Sequence, residues 1–168
     1  MKQYQGYFWG ASGQVTDDTE MTMNLAMTLL KCGGVYNPVA ALTSYLDWAN
    51  GGCCFLGKNT RFLLKTPNKN RLAYYNRQIA LQKKQPEASW PQSNGALMRC
   101  SPLAVISDDK ARDEAVFEDC RLTNFHPTAI ACNRLYVEIV RLLLRAVAEK
   151  VKTNVSVGTF ICCANDTP

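Results

Sequence analysis

After Thr19 the apolar positions Met21, Leu25, Ala26, Leu29 and Leu30 follow helical spacing, and Gly33-Gly34 supplies the stop. Asn37-Pro38 then offers an N-cap followed by proline at the first helical position, with Val39, Leu42, Leu46 and Ala49 as a stripe that ends at Gly51-Gly52. Residues 53–69, with Gly57, Asn59, Pro67 and Asn68, read as irregular, and a third helix is predicted from about Arg71 to Lys84. Pro86 and Pro91 bracket a loop that delivers Ser93. A fourth helix is predicted from near Ala96 to about Ile106, with Pro102 either tolerated inside it or breaking it. Ser107 is placed to cap a charged helix starting at Asp108-Asp109. Pro127 opens the longest helix, through Ile130, Leu135, Val137, Leu142, Leu143 and Val147 to Lys150. Only the tail from Val151 to Cys163, rich in Val, Thr, Phe and Cys, reads as strand-like or disordered. The pattern predicts an all-α fold without internal repeats or low-complexity segments.

A chain of 168 residues with 47% hydrophobic content can bury the core of one domain. No stretch approaches the roughly 20 apolar residues of a membrane span. The N-terminus lacks a basic segment followed by an apolar run, so a cytoplasmic protein is expected, neither secreted nor membrane-bound. The eight cysteines include no Cys-x-x-Cys pair, which leaves zinc spacing absent. Several fall inside helical patterns, where a free cysteine behaves as a small buried hydrophobe. The adjacent pairs Cys53-Cys54 and Cys162-Cys163 are poorly placed to bond to themselves.

Net charge is +5 and unevenly spread. Lys58, Arg61, Lys65, Lys69, Arg71, Arg77, Lys83 and Lys84 occur with no acidic residue between Lys58 and Pro86. Such a segment attracts polyanions, although a solvated helix face and loop is the ordinary explanation. Tyr74 and Tyr75 lie within it, yet no regular nucleic-acid signature accompanies them, so nucleic acid is not the expected partner.

The run Thr16-Asp17-Asp18-Thr19-Glu20 places two adjacent carboxylates between hydroxyls where a loop turns into a helix. Hard divalent cations such as Mg²⁺ take carboxylate, hydroxyl and water oxygens, so the run suits part of such a site. It equally suits a helix start: Asp17 as N-cap with Glu20 three residues later, and acids complementing the macrodipole. Both readings can hold together.

A second motif, Ser93-Asn94-Gly95-Ala96-Leu97-Met98-Arg99 followed by Ser101-Pro102-Leu103, lies roughly 75 residues after the acidic run. A third comprises Asp119-Cys120-Arg121-Leu122-Thr123 followed by His126-Pro127. Together with Gly13-Gln14-Val15-Thr16-Asp17-Asp18-Thr19, and in that order, they resemble the ADP-ribosylglycohydrolase family from about Gly10 to about Lys150. The resemblance implies an all-α bundle and a binuclear Mg²⁺ or Mn²⁺ centre. It also implies hydrolysis of the glycosidic bond joining ADP-ribose to an acceptor, the partner being ADP-ribose or an ADP-ribosylated protein. On that reading Thr16, Asp17 and Asp18 are metal ligands, and Asp17 and Asp18 carry the catalytic role. Asn94, Gly95 and Ala96 contact the substrate through backbone amides at a glycine turn, and His126 makes a further ligand contact.

The departures are as specific. Family members open with a Gly-Asp-Ala-Leu-Gly type segment bearing a metal-site glutamate and close with Asp-x-Asp-Thr. Residues 1–15 hold no Asp or Glu, and after Glu149 the only acid is Asp166. Asn124 and Phe125 also separate Thr123 from His126, where the family pattern has Thr and His adjacent. Residues 1–168 therefore read as a single partial domain, incomplete at both ends, with an incomplete metal site. An active hydrolase fragment, a catalytically impaired ADP-ribose-binding relative, and a structural helical protein derived from the family all stay open. Arg99 is expected to pair with a carboxylate of the fold, and the acid pairs Asp108-Asp109, Asp113-Glu114 and Glu118-Asp119 to be solvated.

Overall fold

The computed structural model describes residues 15–52, 55–67 and 69–164, with side chains as far as Val151. Among them stand six α-helices and no strand: α1 Asp17–Lys31, α2 Pro38–Asn50, α3 Lys58–Leu64, α4 Arg71–Lys83, α5 Asp109–Arg121 and α6 Pro127–Ala164. Three 3-10 turns, Glu87–Ser89, Leu97–Arg99 and Ser101–Val105, complete the set. The all-α expectation holds.

Local chemistry explains most boundaries. Asn37 caps α2 by accepting from the Val39 and Ala40 amides at 3.0 Å each, with Pro38 at the first position where no N–H is needed. Asn70 caps α4 and Asp108 caps α5 in the same way, the latter one residue later than the predicted Ser107. α1 starts one residue earlier than a cap at Asp17 would require. Thr16 is its N-cap, and Asp17, Asp18 and Glu20 fill the first turn, where carboxylates offset the exposed amides. At its other end Gly33 and Gly34 take positive φ, +65° and +84°, which only glycine adopts without strain.

Three predicted elements differ. The segment 53–69 is not wholly irregular, because residues 58–64 form the seven-residue α3, whose Thr60, Leu63 and Leu64 are buried. Tertiary packing stabilises a helix too short to stand alone. The predicted helix from Ala96 to Ile106 is two 3-10 turns divided at Cys100, since Pro102 has no N–H and disfavours α geometry in the residue before it. The tail predicted as strand-like or disordered continues α6 to Ala164. No proline interrupts it, and the helix penalty of Val and Thr is only a few tenths of a kcal/mol each.

The core joins α1 (Met21, Leu25, Leu29), α2 (Ala41, Tyr45, Leu46, Ala49) and α3 (Leu63, Leu64) to Leu103, Val116 of α5 and Val137 of α6. α1 packs on α2 and on the Leu97–Arg99 turn, α3 on α4, and α5 on α6. Cys100 and Cys120 are buried as expected, whereas Cys32 is half-buried and Cys132 exposed; all four are free thiols. The side chains of Cys53, Cys54, Cys162 and Cys163 lie outside the described residues, as do Gly13, Gln14 and Asp166. Among the described residues no helix is long and apolar enough to cross a membrane.

Candidate functional site

Thr16 caps α1 through its backbone alone, and its hydroxyl donates to Asp18 Oδ2 at 2.9 Å. Asp17 Oδ2 accepts from the Gly57 amide at 3.3 Å. The third acid of the run is tied up inside the fold, as Glu20 Oε2 accepts from Trp48 Nε1 at 2.8 Å. Asp17 is half-buried and Asp18 exposed, so solvent reaches both residues at the start of α1. The Thr22 hydroxyl, one turn on, lies 2.6 Å from the Asp18 carbonyl and 3.1 Å from the Met98 carbonyl, bridging α1 to the Leu97–Arg99 turn.

The second motif is therefore close at hand. Gly95 and Ala96 are buried and Asn94 is exposed, in a turn closed by Met98 N donating to Asn94 O at 2.9 Å. A Cβ at Gly95 would stand 3.3 Å from Thr60 Oγ1 and 3.6 Å from Asn124 Oδ1, so the close packing selects glycine here rather than any unusual φ. The first turn of α3 thus touches both motifs: its N-cap residue Gly57 holds Asp17, and Thr60 abuts Gly95. Ala96 leads into a three-residue 3-10 turn, so the amide display is shorter than the predicted helix start.

Beneath this loop lies a buried ionic network that sequence reasoning only half anticipates. Arg99 pairs with a carboxylate of the fold as expected: its Nε donates to Asp119 Oδ2 at 2.9 Å, and both side chains are fully buried. Asp119 is thus the exception to the expected solvation of the acid pairs. Its neighbours on α5 show why: Arg112, Ala115, Val116, Asp119 and Cys120 form one buried helical stripe. Arg99 also donates through Nη2 to the Asp119 carbonyl at 2.7 Å, and through Nη1 to Gly95 O and Thr123 Oγ1 at 2.9 Å each. Tyr36 and Tyr45 donate to Asp119 Oδ1 at 3.3 and 2.9 Å. Burial, reinforced by the Asp119 charge, pushes both phenols far above their usual range. Burial works against the Arg99 charge, but Asp119 and the hydrogen bonds to it outweigh that and raise its pKa.

His126 sits just before α6, half-buried. Its Nδ1 accepts from Thr128 N at 3.1 Å, so in the neutral ring the proton sits on Nε2, and that N–H bonds Gln92, whose Nε2 lies 3.2 Å away, only when the Gln92 amide turns its oxygen to the ring. Thr128 N orients the ring from the Nδ1 side. Asn124 binds the same stretch of chain, its Nδ2 donating to Ser93 O at 2.9 Å and Ser93 Oγ at 3.1 Å.

The donor set of Thr16, Asp17 and Asp18 consists of hard oxygens, which suits one Mg-type cation completed by water. Among the described residues no cluster of three Cys, His, Asp or Glu side chains forms, so nothing there compensates a second adjacent cation. A cavity of about 630 Å³ between Gly33-Tyr36 and α5, and one of about 840 Å³ between α2 and Lys69–Leu72, contain none of these residues.

The family model described as ADP-ribosylglycohydrolase matches residues 1–159. Neither a curated protein nor a solved structure matches the chain.

Proposed function

The chain belongs to the ADP-ribosylglycohydrolase family, and on that premise we propose that it binds ADP-ribose and hydrolyses the bond between ADP-ribose and an acceptor, using a Mg²⁺ or Mn²⁺ ion held by Thr16, Asp17 and Asp18. The observation that carries this reading is the first turn of α3, which joins the acidic run to the Asn94–Ala96 loop through Gly57 and Thr60. A bound divalent cation would supply polarisation of ribose hydroxyls and of water.

The residues themselves do the rest. Asp17 and Asp18 place negative charge beside the anomeric carbon, which favours an oxocarbenium-like transition state. Exposed Asn94 and the backbone of Gly95 and Ala96 hold the ribose or diphosphate, helped at longer range by the acid-free basic segment from Lys58 to Lys84. His126 borders the same loop through Gln92 and supplies a further ligand contact.

A second reading is favoured by a specific observation. With no cluster of three metal-ligating Cys, His, Asp or Glu side chains among the described residues, the centre holds ADP-ribose better than it orients an attacking water, so binding outlives turnover. Incubating the chain with ADP-ribosylated protein and Mg²⁺, with an Asp17→Asn control, separates the two. Rapid ADP-ribose release that vanishes in the control establishes the hydrolase. Binding with slow release establishes the impaired relative, and neither binding nor release removes both.

A further inference from the structure

Three consecutive residues after α5 grip the four residues that lead into the Asn94–Ala96 loop. Asn124 Nδ2 donates to Ser93 O, to Ser93 Oγ and, at 3.4 Å, to Pro91 O. The Phe125 ring meets Trp90 edge-on with centroids 4.8 Å apart, and Lys83 Nζ lies 5.6 Å from the Phe125 centroid. His126 Nε2 lies 3.2 Å from Gln92 Nε2. Resting on the ADP-ribose reading of the site, we propose that this is a clasp and that Asn124 is its positioning residue, setting the loop that presents Asn94 to the ligand.

Asn124 is itself immobilised. Its side chain is fully buried, its backbone N–H donates to Cys120 O at 2.8 Å, and its backbone carbonyl accepts from Cys120 Sγ at 3.1 Å. Its Oδ1 accepts from Thr123 Oγ1 at 2.8 Å, and that oxygen in turn accepts from Arg99 Nη1. Every hydrogen bond of the Asn124 side chain therefore either points at the loop or fixes the group that points at it. Filling the space would need no polar atoms, and a buried amide costs free energy unless its partners are met, so the hydrogen bonds rather than the volume define its role.

The geometry of the grip is specific. Ser93 is held from one side by Asn124, and Gly95 O from the other by Arg99 Nη1. Between these two fixed points stands Asn94, exposed. A ligand-contacting residue flanked by two anchored neighbours does not have to be ordered on binding, which lowers the entropic cost of the complex.

Asn124→Asp keeps the size and the Oδ1 acceptor but replaces the donor facing Ser93 with an acceptor. Ser93→Ala removes one contact without disturbing α5 and decides the matter if the first variant does not fold. Two readouts apply to the full chain: amide hydrogen exchange over residues 92–98, and the Kd for ADP-ribose by calorimetry. In Asn124→Asp, loop exchange should accelerate while α1 and α2 amides keep wild-type rates, and Kd should rise about tenfold, the loss expected for about one good hydrogen bond. Any measurable kcat should stay within about twofold, placing the loss on KM. Ser93→Ala should show the same pattern at smaller amplitude. Loop exchange at the wild-type rate, or acceleration spread evenly over all helices, overturns the clasp. A wild-type chain that does not bind ADP-ribose defeats the functional reading instead, while the exchange data still decide whether Asn124 anchors the loop.

Discussion

Arg99 and Asp119 meet at 2.9 Å with neither side chain reached by solvent, so a complete ion pair lies buried under the loop that carries Asn94 and Gly95. The pair is not left to Coulomb attraction alone. Tyr36 and Tyr45 satisfy the second carboxylate oxygen, and the guanidinium lies 4.7 Å from the Tyr45 ring centroid. Breaking such a pair from one side leaves an uncompensated buried charge, a cost of about 3–5 kcal/mol. Arg99→Met or Asp119→Asn should lower unfolding free energy by that order in urea titration, and the double variant should lose less than the sum of the two. Additive losses would mean that the pair does not act as a unit.

How much of this is legible in the sequence depends on whether a residue's role is local. The starts of α2, α4 and α6 are readable because Asn37-Pro38, the Asn70 side chain and Pro127 act on their own first turns. α3 is not, because its seven residues span too few turns for a periodic signal and their stability comes from packing. The Arg99 partnership is predictable in kind, but grouping Asp119 with the solvated acids misplaces it. Its spacing of three from Val116 and four from Ala115 carries the signal that it shares their buried face. Nothing local in Asn124 announces that it binds Ser93, 31 positions away.

Alkaline pH should weaken the fold in a defined window. Burial pushes the thiols of Cys100 and Cys120 up to about 12, and burial also pushes the Tyr75 phenol up to about 12. In the unfolded chain these groups ionise near their ordinary values, about 8.5 for a thiol and 10 for a phenol. Above those values the unfolded state binds fewer protons than the folded one, so stability falls as pH rises toward 12 and is unaffected by these groups below about 8. The slope is about 1.4 kcal/mol per pH unit for each group titrating only in the unfolded state. Thermal midpoints from pH 8 to 11 should show the decline, and Cys100→Ala should reduce its slope above pH 9. A flat profile would contradict the burial of both thiols.

Gly95→Ala should be costly for a reason that can be relieved. The new methyl would stand 3.3 Å from Thr60 Oγ1, and Thr60 is itself buried at the first turn of α3. Displacing it moves the helix that holds Asp17, so the variant should lose about 1–3 kcal/mol of stability, the range for overpacking. It should also lose measurable ADP-ribose affinity. Introducing Thr60→Ala alongside should recover part of both losses. Equal losses in the presence and absence of Thr60 would show that the contact does not set the size limit at position 95.

Mg²⁺ binding should be weak and should depend on Asp17 and Asp18 together. Each carboxylate already accepts one protein hydrogen bond, from Gly57 N and Thr16 Oγ1, and Glu20 is engaged by Trp48, so the run offers few remaining oxygens. One cation carrying several waters fits that supply, and a tighter or double site does not. Replacing both by Asn should abolish whatever Mg²⁺ affinity calorimetry detects. The same change also removes charge that complements the α1 N-terminus, worth about 0.3–1 kcal/mol for each acid, so the variant should melt lower even without metal. The two effects separate in one experiment. Adding Mg²⁺ should raise the melting temperature of the wild-type chain and leave that of the double variant where it was. An equal rise in both would place the metal away from α1, and with it the catalytic role proposed for these aspartates.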